Sequence, residues 1–435
     1  MGQGSHILIK NQTDQDWVCF HNHQYQMDGW GFPEKIASGA VVKVYVEFCE
    51  NIFKHEHDDA GEVKYKFGSD TSTNPSSYIE FAATYKHERD VYVKLVNIPS
   101  AGNQLNKTID LGWDHDGTMP FALYGSSGDY MLIDPSRWME QTLGRIGDFP
   151  LKDISIPGSH DAGMYTRNGG TAFGRDCNTL TQTGSVGQQL VNGARYFDIR
   201  PVIAAGKYMT GHYSKIIDAT WQGANGESIS DIIKEVNSFT EGRKEIVILN
   251  LSHTLNTDVG NTSYRAFNDE EWTTLFQQLA GINKLLFSDK ADLTQVKLNE
   301  LLSNDSKVII VVEGLNSGKL GAYYRKGFYT TKEFNVYNSY ANTNDLSKMI
   351  NDQIDKMKAH SDSYFLLSWT LTQSTSQAVT CSSSILDLAK QANAKLDSVL
   401  DYVSPSLYPN IVYIDKFDNP LATMVVLEIN DVGTA

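Results

Sequence analysis

The first 130 residues alternate apolar and polar side chains in short runs. These runs are HILIKN, VVKVYVEF, VKYKF, YIEFAATY and VYVKLVN, and clusters of Gly, Asn, Asp and Ser separate them. In VVKVYVEF, the residues Lys43, Tyr45 and Glu47 alternate with apolar ones, which is typical of a strand with one solvent-exposed face. No helical period of useful length interrupts the pattern. It therefore predicts an all-β sandwich domain over residues 1–130.

From residue 136 onwards the pattern changes to nearly continuous apolar runs, which amphipathic stretches separate. The runs are DISIPG, ARYFDIR, EIVILNLS, KVIIVVEG, SYFLLSW and NIVYIDK. One amphipathic stripe is formed by Ile229, Ile232, Ile233, Val236 and Phe239. A second is formed by Ile385, Leu388, Leu396, Val399 and Val403. Apolar strands that alternate with such helices indicate a parallel sheet buried on both faces, and about 300 residues of this pattern predict an α/β domain over residues 136–435, a distorted TIM barrel.

Length and charge restrict the classes of function. The chain has 435 residues and 41% hydrophobic composition, enough for two domains with separate cores. Its formal net charge of −15 argues against a nucleic-acid partner and against purely electrostatic attachment to anionic membranes. No window approaches the roughly 20 apolar residues of a transmembrane helix, and the start MGQGSHILIK lacks the regions of a secretory signal. The compartment stays open between soluble, secreted and peripheral membrane.

The cysteines and the histidine pairs near the start of the chain predict neither a disulfide scaffold nor a metal site. The cysteines are Cys19, Cys49, Cys177 and Cys381. They are few and scattered; Cys19 and Cys49 fall on separate predicted strands and either pair or remain buried free thiols, which we favour. The histidine pairs are His21 with His23 and His55 with His57. Because they lack a matched frame of cysteines or carboxylates, we expect solvated loop residues.

Polar side chains collect where the strands of the second domain end. In a parallel barrel, these ends and the loops after them form the mouth that carries the chemistry. The residues in question are His160, Asp161, Asp198, Arg200, His212, Asn250, Ser252, Glu313, Trp369 and Asp415. Two histidines, each expected after a barrel strand, can act as base and acid on a phosphodiester while an arginine neutralises the phosphoryl oxygens. We interpret His253 as a structural loop residue.

Several motifs in order resemble the X region of phosphatidylinositol-specific phospholipases C of the bacterial type. They are WMEQTLGRIGDFPLKDISIPGSHDAGM, GARYFDIRPV and GHY, and the resemblance extends over about residues 136–420. It implies that His160 deprotonates a ring hydroxyl beside the phosphate and that His212 protonates the leaving alcohol. The products would be a cyclic phosphodiester and diacylglycerol.

The resemblance also implies roles for the charged residues at the mouth. Arg200 would bind the phosphate, and Asp161 would orient that arginine. Asp198 stands where an acidic residue of the site is expected, and Asp415 is the candidate that hydrogen-bonds the base.

The resemblance further separates this chain from metal-dependent relatives. Those enzymes supply Glu-x-Asp on the second strand and a glutamate after the VIL strand, whereas this chain has Asp198-Ile199-Arg200 and Ser252 there. A guanidinium in a calcium pocket would repel the ion, so we expect neither a metal nor another cofactor. The same pattern disfavours glycerophosphodiesterases and enzymes that resemble sphingomyelinase D.

Substrate identity is less constrained than the reaction. The bacterial enzymes carry basic residues after the strands that here read LNLS and VVEG, where this chain has Ser252 and Glu313. We expect Asn250, Ser252, Glu313 and Trp369 to contact a phospholipid at a membrane surface. The alternatives are a different lipid head group, or a non-catalytic protein that binds lipid or glycan. The first domain would be a membrane- or glycan-binding module, or a structural appendage.

Overall fold

The computed structural model describes residues 3–50, 58–98, 105–216 and 220–433. The chain divides into two compact units, Met1–Asp134 and Pro135–Ala435. His55 and His57 lie outside the described residues. His21 is exposed and pairs with Glu62, with 2.7 Å between Nε2 and Oε1. In the described ranges, no group of three or more His, Cys, Asp and Glu side chains could hold a metal ion.

The first unit consists of strands. They are β1 (Gln3–Thr13), β2 (Trp17–Tyr25), β3 (Met27–Trp30), β4 (Lys35–Ile36), β5 (Val41–Phe48), β6 (Ala60–Phe67), β7 (Tyr78–Tyr85), β8 (Arg89–Val96), β9 (Thr108–Gly112), β10 (Thr118–Ser126) and β11 (Asp129–Met131). One sheet has the order β11-β10-β1-β5-β3, and the other has the order β4-β2-β6-β7-β8-β9. The two are antiparallel except that β1 pairs in parallel with β10. Buried side chains of both sheets, such as Ile7, Val44, Tyr65 and Phe81, form one hydrophobic cluster.

The second unit mixes strands and helices. Its strands are β12 (Ile156–Ser159), β13 (Tyr196–Ile199), β14 (Pro201–Ala204), β15 (Lys207–Ile216), β16 (Thr220–Ser228), β17 (Ile246–Leu251), β18 (Leu255–Asn256), β19 (Lys307–Val312), β20 (Phe328–Thr330), β21 (Tyr337–Asn338), β22 (Phe365–Ser368) and β23 (Ile411–Ile414). Its helices are α1 (Trp138–Ile146), α2 (Asp176–Thr179), α3 (Val186–Val191), α4 (Ile229–Thr240), α5 (Asp269–Leu279), α6 (Leu298–Leu301), α7 (Ser317–Leu320), α8 (Leu346–Ala359), α9 (Thr375–Thr380), α10 (Ile385–Asn393) and α11 (Leu421–Gly433). Within the described part of the chain, no helix has the length and apolarity that crossing a membrane requires.

Eight parallel strands form the curled sheet on which the second unit is built. Their order is β20-β19-β17-β13-β12-β23-β22-β21. All six apolar runs of the sequence become strands of this sheet, and the short strands β20 and β21 extend it at both edges. Among the described residues no pairing joins β20 to β21. The chain is thus a mixed α/β protein whose barrel is open on one side.

Two elements differ from the sequence prediction. The second amphipathic stretch is not one helix, because α10 ends at Asn393 and a separate 3-10 turn follows over Leu396–Tyr402. KYMTGHY belongs to β15, which lies outside the parallel sheet in a four-stranded sheet with the order β16-β15-β14-β18. His212 therefore projects from within an antiparallel strand and does not follow a barrel strand.

A disulfide joins two loops of the second unit. Cys177 in α2 pairs with Cys381 directly after α9, with Cα atoms 5.7 Å apart and a sequence separation of 204. This single cross-link was not predicted from the sequence, because only the fold brings the loops after β12 and β22 together. Neither Cys19 nor Cys49 takes part in a disulfide, and Cys49 is buried.

A buried ion pair anchors the start of the second unit. Arg195 and Glu245 are both fully buried, and Arg195 Nε lies 2.8 Å from Glu245 Oε2. The other oxygen of Glu245 accepts the amide N–H of Glu140 at 2.9 Å, in the first turn of α1. Arg195 also donates to the carbonyl of Pro135. The pair thus ties α1 to the strands β13 and β17 that carry the polar mouth.

Candidate active site

The parallel register places the strand ends at one edge of the sheet. β12 lies between β13 and β23, with Ser159 opposite both Phe197 and Ile414. β13 in turn pairs with β17, where Asp198 lies opposite Asn250. The residues that follow β12, β13 and β23 therefore meet, although 255 positions of sequence separate His160 from Asp415.

His160 is held between a carboxylate and a guanidinium. Its Nδ1 lies 2.6 Å from Asp415 Oδ1, and its Nε2 lies 2.7 Å from Arg200 Nη2. A guanidinium only donates hydrogen bonds, so Nε2 accepts and Nδ1 carries the proton that it donates to Asp415. Burial and Arg200 lower the pKa of His160, but Asp415 and Asp198 together outweigh them and raise the pKa above its usual value. The neutral ring is thus fixed in the tautomer whose Nε2 lone pair can take a proton.

Arg200 is fixed by two carboxylates. Its Nε donates to Asp198 Oδ2 at 2.9 Å, and its Nη1 lies 3.4 Å from Asp161 Oδ2. Burial would lower the pKa of Arg200, but these carboxylates raise it above its ordinary value, so the guanidinium stays charged. Burial would raise the pKa of Asp198, but Arg200 and His160 hold it well below its ordinary value.

Asp161 connects the second histidine to this group. It is fully buried, and its Oδ2 lies 2.7 Å from His212 Nδ1. This contact is shorter than that of Asp161 to Arg200, so the main partner of Asp161 is His212, while Asp198 provides the close contact to the arginine. Since a carboxylate accepts, His212 donates through Nδ1 and leaves Nε2 for a substrate atom. Each imidazole therefore has its own carboxylate, with Arg200 between them.

Three residues at this edge adopt the left-handed backbone conformation. They are Asp161 (φ 42°), His253 (φ 47°) and Lys416 (φ 53°). Each lies two positions beyond the end of its strand, after β12, β17 and β23 respectively. Side chains other than glycine rarely adopt such angles, which cost of order 1–3 kcal/mol each and concentrate at functional sites. The residues directly before these three positions are His160, Ser252 and Asp415, and their side chains contact one another or Asp198 at the site.

Sequence reasoning missed Tyr413, which contacts two site residues. Its hydroxyl donates to Asp198 Oδ2 at 2.9 Å, and its ring centroid lies 5.3 Å from that of His160. The run IVYID contained a usable signal, because alternate residues of a strand share a face and Tyr413 precedes Asp415 by two. Gln182 is a second missed residue; its Nε2 donates to the carbonyl of His160 at 2.8 Å.

The four predicted substrate contacts differ in their accessibility. Ser252 is buried, and its hydroxyl donates to Asp198 Oδ1 at 2.6 Å, so it supports the arginine clamp. Asn250 is also buried and donates to Glu313 Oε1 at 2.7 Å, and Glu313 is exposed. The prediction for Trp369 is wrong: its side chain is fully buried and its Nε1 donates to the carbonyl of Ala392, because this wide apolar ring completes the core.

Sequence comparison identifies relatives of part of the chain. No family model matches it. A PI-PLC X-box domain-containing protein of Dictyostelium discoideum is 26% identical over 144 residues, which are 30% of this chain and 18% of that protein. PI-PLC X domain-containing protein 1 of Mus musculus is 32% identical over 104 residues, which are 19% of this chain and 30% of that protein. The matches thus span less than a third of either relative, and they confirm the predicted resemblance to the X-domain family.

Solved structures of two bacterial proteins are similar to this chain over about two thirds of its length. A phosphatidylinositol-specific phospholipase C of Staphylococcus aureus has a TM-score of 0.48 and 15% identity, covering 67% of this chain and 97% of its own. The phosphatidylinositol-specific phospholipase C from Listeria monocytogenes has a TM-score of 0.47 and 18% identity, covering 68% of this chain and 99% of its own.

Proposed function

We propose that this X-domain relative cleaves the phosphodiester of phosphatidylinositol or a related phospholipid and releases a cyclic phosphodiester and diacylglycerol. The observation that carries the proposal is the symmetric charge arrangement around Arg200. His160 with Asp415 stands on one side of the guanidinium, and His212 with Asp161 stands on the other. Such a pair of imidazoles can remove one proton and deliver another across a bound anion.

The proposed step uses each of these groups once. The phosphate takes the hydrogen bonds of Arg200, which releases the Nε2 lone pair of His160. That nitrogen takes the proton from a head-group hydroxyl next to the phosphate, and the hydroxyl oxygen bonds to phosphorus. The bond from phosphorus to the glycerol oxygen breaks, and His212 gives its Nε2 proton to that oxygen. His160 ends protonated and His212 neutral, and Asp415 stabilises the new imidazolium.

We propose that this reaction needs no metal ion. The guanidinium lies between the carboxylates of Asp198 and Asp161, in the space that a cation would need to reach both. A divalent cation there would be repelled by Arg200 and would have to displace it. The charge that develops on the phosphoryl oxygens is instead neutralised by the bidentate fork of the arginine, a contribution of roughly 3–4 kcal/mol for one well-placed donor.

A second candidate is the same reaction on another head group. Glu313 is exposed at the mouth, and Ser252 gives its hydroxyl to Asp198. Neither supplies the positive charge that inositol-binding relatives place after these strands. A head group other than inositol, with a hydroxyl next to the phosphate, satisfies the same catalytic groups.

The experiment is a head-group panel on vesicles. Phosphatidylinositol, phosphatidylglycerol and phosphatidylcholine are each presented to the parent and to the His160→Ala variant, and diacylglycerol release is measured. We expect turnover of at least one head group that carries a neighbouring hydroxyl, and its loss in the variant by about 10²-fold or more. Vesicle sedimentation should be the same for both proteins.

Four outcomes contradict the proposal or parts of it. Cleavage of phosphatidylcholine alone excludes the cyclic product, because choline has no hydroxyl to attack. Equal turnover in parent and variant removes His160 from the chemistry. Loss of activity in EDTA that added calcium restores contradicts the arginine argument. Vesicle binding without turnover of any lipid favours the non-catalytic alternative.

A further inference from the structure

His253 is linked by hydrogen bonds to the candidate site, which a histidine in a surface loop would not be. It follows β17 by two residues and has the left-handed φ of 47° that Asp161 shares. Its Nδ1 lies 2.8 Å from Ser252 Oγ. Ser252 Oγ is in turn 2.6 Å from Asp198 Oδ1, and Asp198 Oδ2 holds Arg200. His253 is therefore the outermost member of a hydrogen-bonded chain that ends at the guanidinium.

The carboxylate of Asp198 determines which atom donates in each hydrogen bond of this series. Asp198 is a carboxylate and only accepts, so the single hydroxyl proton of Ser252 points to it. Ser252 Oγ can then only accept from the ring, and His253 donates through Nδ1. The Nε2 of the neutral ring is left with a lone pair. It acts as a hydrogen-bond acceptor held in a fixed orientation.

Burial and the charges around His253 favour the neutral ring. Burial and the nearby Arg200 lower the pKa of His253, against the opposing effect of Asp198 and Glu313. The ring is nevertheless exposed, and Glu313, also exposed, is near enough to act on it electrostatically. Both groups accept hydrogen bonds. This part of the mouth therefore suits a ligand that presents O–H donors and carries no second anionic group.

We propose that His253 is a specificity-determining residue that accepts, through Nε2, a hydrogen bond from a hydroxyl of a polyhydroxylated head group other than the attacking one. This inference rests on the proposed function and deepens it by naming the head-group class, an uncharged polyol. Ser252 couples the contact to Asp198, so binding of the head group reinforces the arginine clamp. The attack on phosphorus itself does not require His253.

The test uses two substrates that differ only in the extra hydroxyls. Short-chain phosphatidylinositol carries them; the matching lipid with an ethylene glycol head group keeps the attacking hydroxyl and has no other. In the His253→Asn variant, the amide nitrogen can still donate to Ser252 from the place of Nδ1, but the side chain ends before the place of Nε2. Asn also tolerates the left-handed backbone, so the variant should fold normally.

We expect His253→Asn to lower the ratio of kcat/KM for the inositol lipid to that for the glycol lipid by about 3- to 10-fold, mainly through KM. His253→Gln places an acceptor near the position of Nε2 and should restore most of that ratio. His360→Asn is the matched control, because His360 stacks on Tyr337 at the end of α8 and touches no site residue. Its ratio should equal that of the parent.

A parallel binding measurement separates this inference from the proposed reaction. Calorimetric titration with inositol 1-phosphate should show weaker binding to His253→Asn than to the parent, whether or not either protein turns over lipid. An unchanged dissociation constant, or equal loss of kcat/KM on both lipids, would overturn the role of His253. Absence of turnover by the parent on every lipid would overturn the proposed reaction and leave the binding result to decide the inference.

Discussion

At the scale of single residues, the two carboxylate–imidazole pairs determine which histidine can give a proton and which can take one. Arg200 donates to Nε2 of His160, which therefore cannot carry a proton in the resting site. Nδ1 of each ring faces a carboxylate at 2.6–2.7 Å. The carboxylates fix tautomers and stabilise the imidazolium form when it arises. Their removal should therefore change the pH dependence as well as the rate.

The Asp415→Asn variant tests this at the base. Asp415 raises the pKa of His160, so its neutralisation lowers that pKa. Since the base acts in its neutral form, kcat/KM falls on the acid side as His160 protonates, and this acid limb should move to lower pH in the variant. The rate at the optimum should fall by about 10²- to 10⁴-fold, because the imidazolium loses its counter-charge. A pH–rate profile with stopped diacylglycerol assays measures both effects.

The control for this variant is Asp418→Asn, which alters a partly exposed carboxylate that pairs with Lys416. Its profile should superimpose on that of the parent. An Asp415→Asn profile that falls in height but keeps its acid limb in place would show that Asp415 does not set the pKa of the base.

At this scale the sequence predicts the reacting groups better than their support. His160, Arg200 and Asp198 follow apolar runs and could be placed at one edge without coordinates. The role of Ser252 could not, because only the pairing of β13 with β17 aims its hydroxyl at Asp198. The prediction for Trp369 was wrong, because the position of a residue at the end of a strand does not show whether its ring points to the mouth or into the core.

At the scale of elements, the loops after β12 and β22 form one structure. The disulfide Cys177–Cys381 joins them, Gln373 Nε2 donates to the carbonyl of Cys177 at 2.9 Å, and Asn178 Nδ2 donates to the carbonyl of Ala378 at 3.0 Å. The same loop returns to the site, where Thr181 Oγ1 donates to the carbonyl of Asp161 at 2.9 Å. The cross-link therefore restricts the loop that carries Asp161.

The Cys381→Ser variant should lose about 2–5 kcal/mol of unfolding free energy, because the bond closes a loop of 204 residues in the unfolded chain. Urea titration with and without dithiothreitol measures the loss, and reductant should have no further effect on the variant. Cys19→Ser is the matched control, since Cys19 is a free thiol. An equal loss in the control, or a parent insensitive to reductant, would rule out the cross-link as the cause.

A second element-scale feature is a pair of carboxyl groups at the start of α3. Glu227 Oε2 accepts the amide N–H of Val186 at 3.2 Å, and Glu235 Oε2 accepts that of Gly187 at 2.6 Å. Burial, together with Glu235, raises the pKa of Glu227 to about 9. The unfolded chain releases this proton near pH 4, so between about pH 4 and pH 9 the folded state holds more protons and its stability falls as pH rises.

The Glu227→Gln variant should remove this pH-dependent loss. Its melting temperature should exceed that of the parent at pH 8, because folding of the parent must then take up a proton at Glu227. The difference should shrink towards pH 5, where the unfolded chain begins to hold that proton too. Differential scanning calorimetry at both pH values measures this. Glu62→Gln, at a half-buried carboxylate on β6, is the control and should show no such divergence. Parallel melting curves for Glu227→Gln and parent would contradict the raised pKa.

Element prediction was accurate where apolar runs were long and failed where they were short. The six runs became strands, whereas β20 and β21, with three and two residues, carry too little pattern to detect. The second amphipathic stretch has a helical period throughout, yet the chain leaves the helix after Asn393. Asn393 Nδ2 donates there to the carbonyl of Asp415, a tertiary contact that no local period encodes.

At the scale of the whole molecule, each unit has its own core, and the second depends on one buried ion pair. Replacing Glu245 with Ala leaves the fully buried guanidinium of Arg195 without its carboxylate. The expected loss is about 3–5 kcal/mol, since an uncompensated buried charge is strongly destabilising.

Calorimetry of the full chain should resolve this loss by unit. We expect two transitions. Glu245→Ala should lower the melting temperature of the second unit only, and loss of diacylglycerol release on heating should follow that same transition. Glu62→Gln again serves as the matched control in the first unit. A single transition that shifts as a whole in Glu245→Ala would show that the two units unfold together.

The left-handed positions at Asp161, His253 and Lys416 have a consequence for anyone who engineers this chain for heat resistance. Glycine adopts these angles freely, so stabilisation procedures that score backbone strain will favour it there. Replacing Asp161 would remove the carboxylate that holds the proposed acid His212, and replacing His253 would remove the proposed head-group contact. The most thermostable version of this mouth would thus be an inert one, and screening for melting temperature alone would select it.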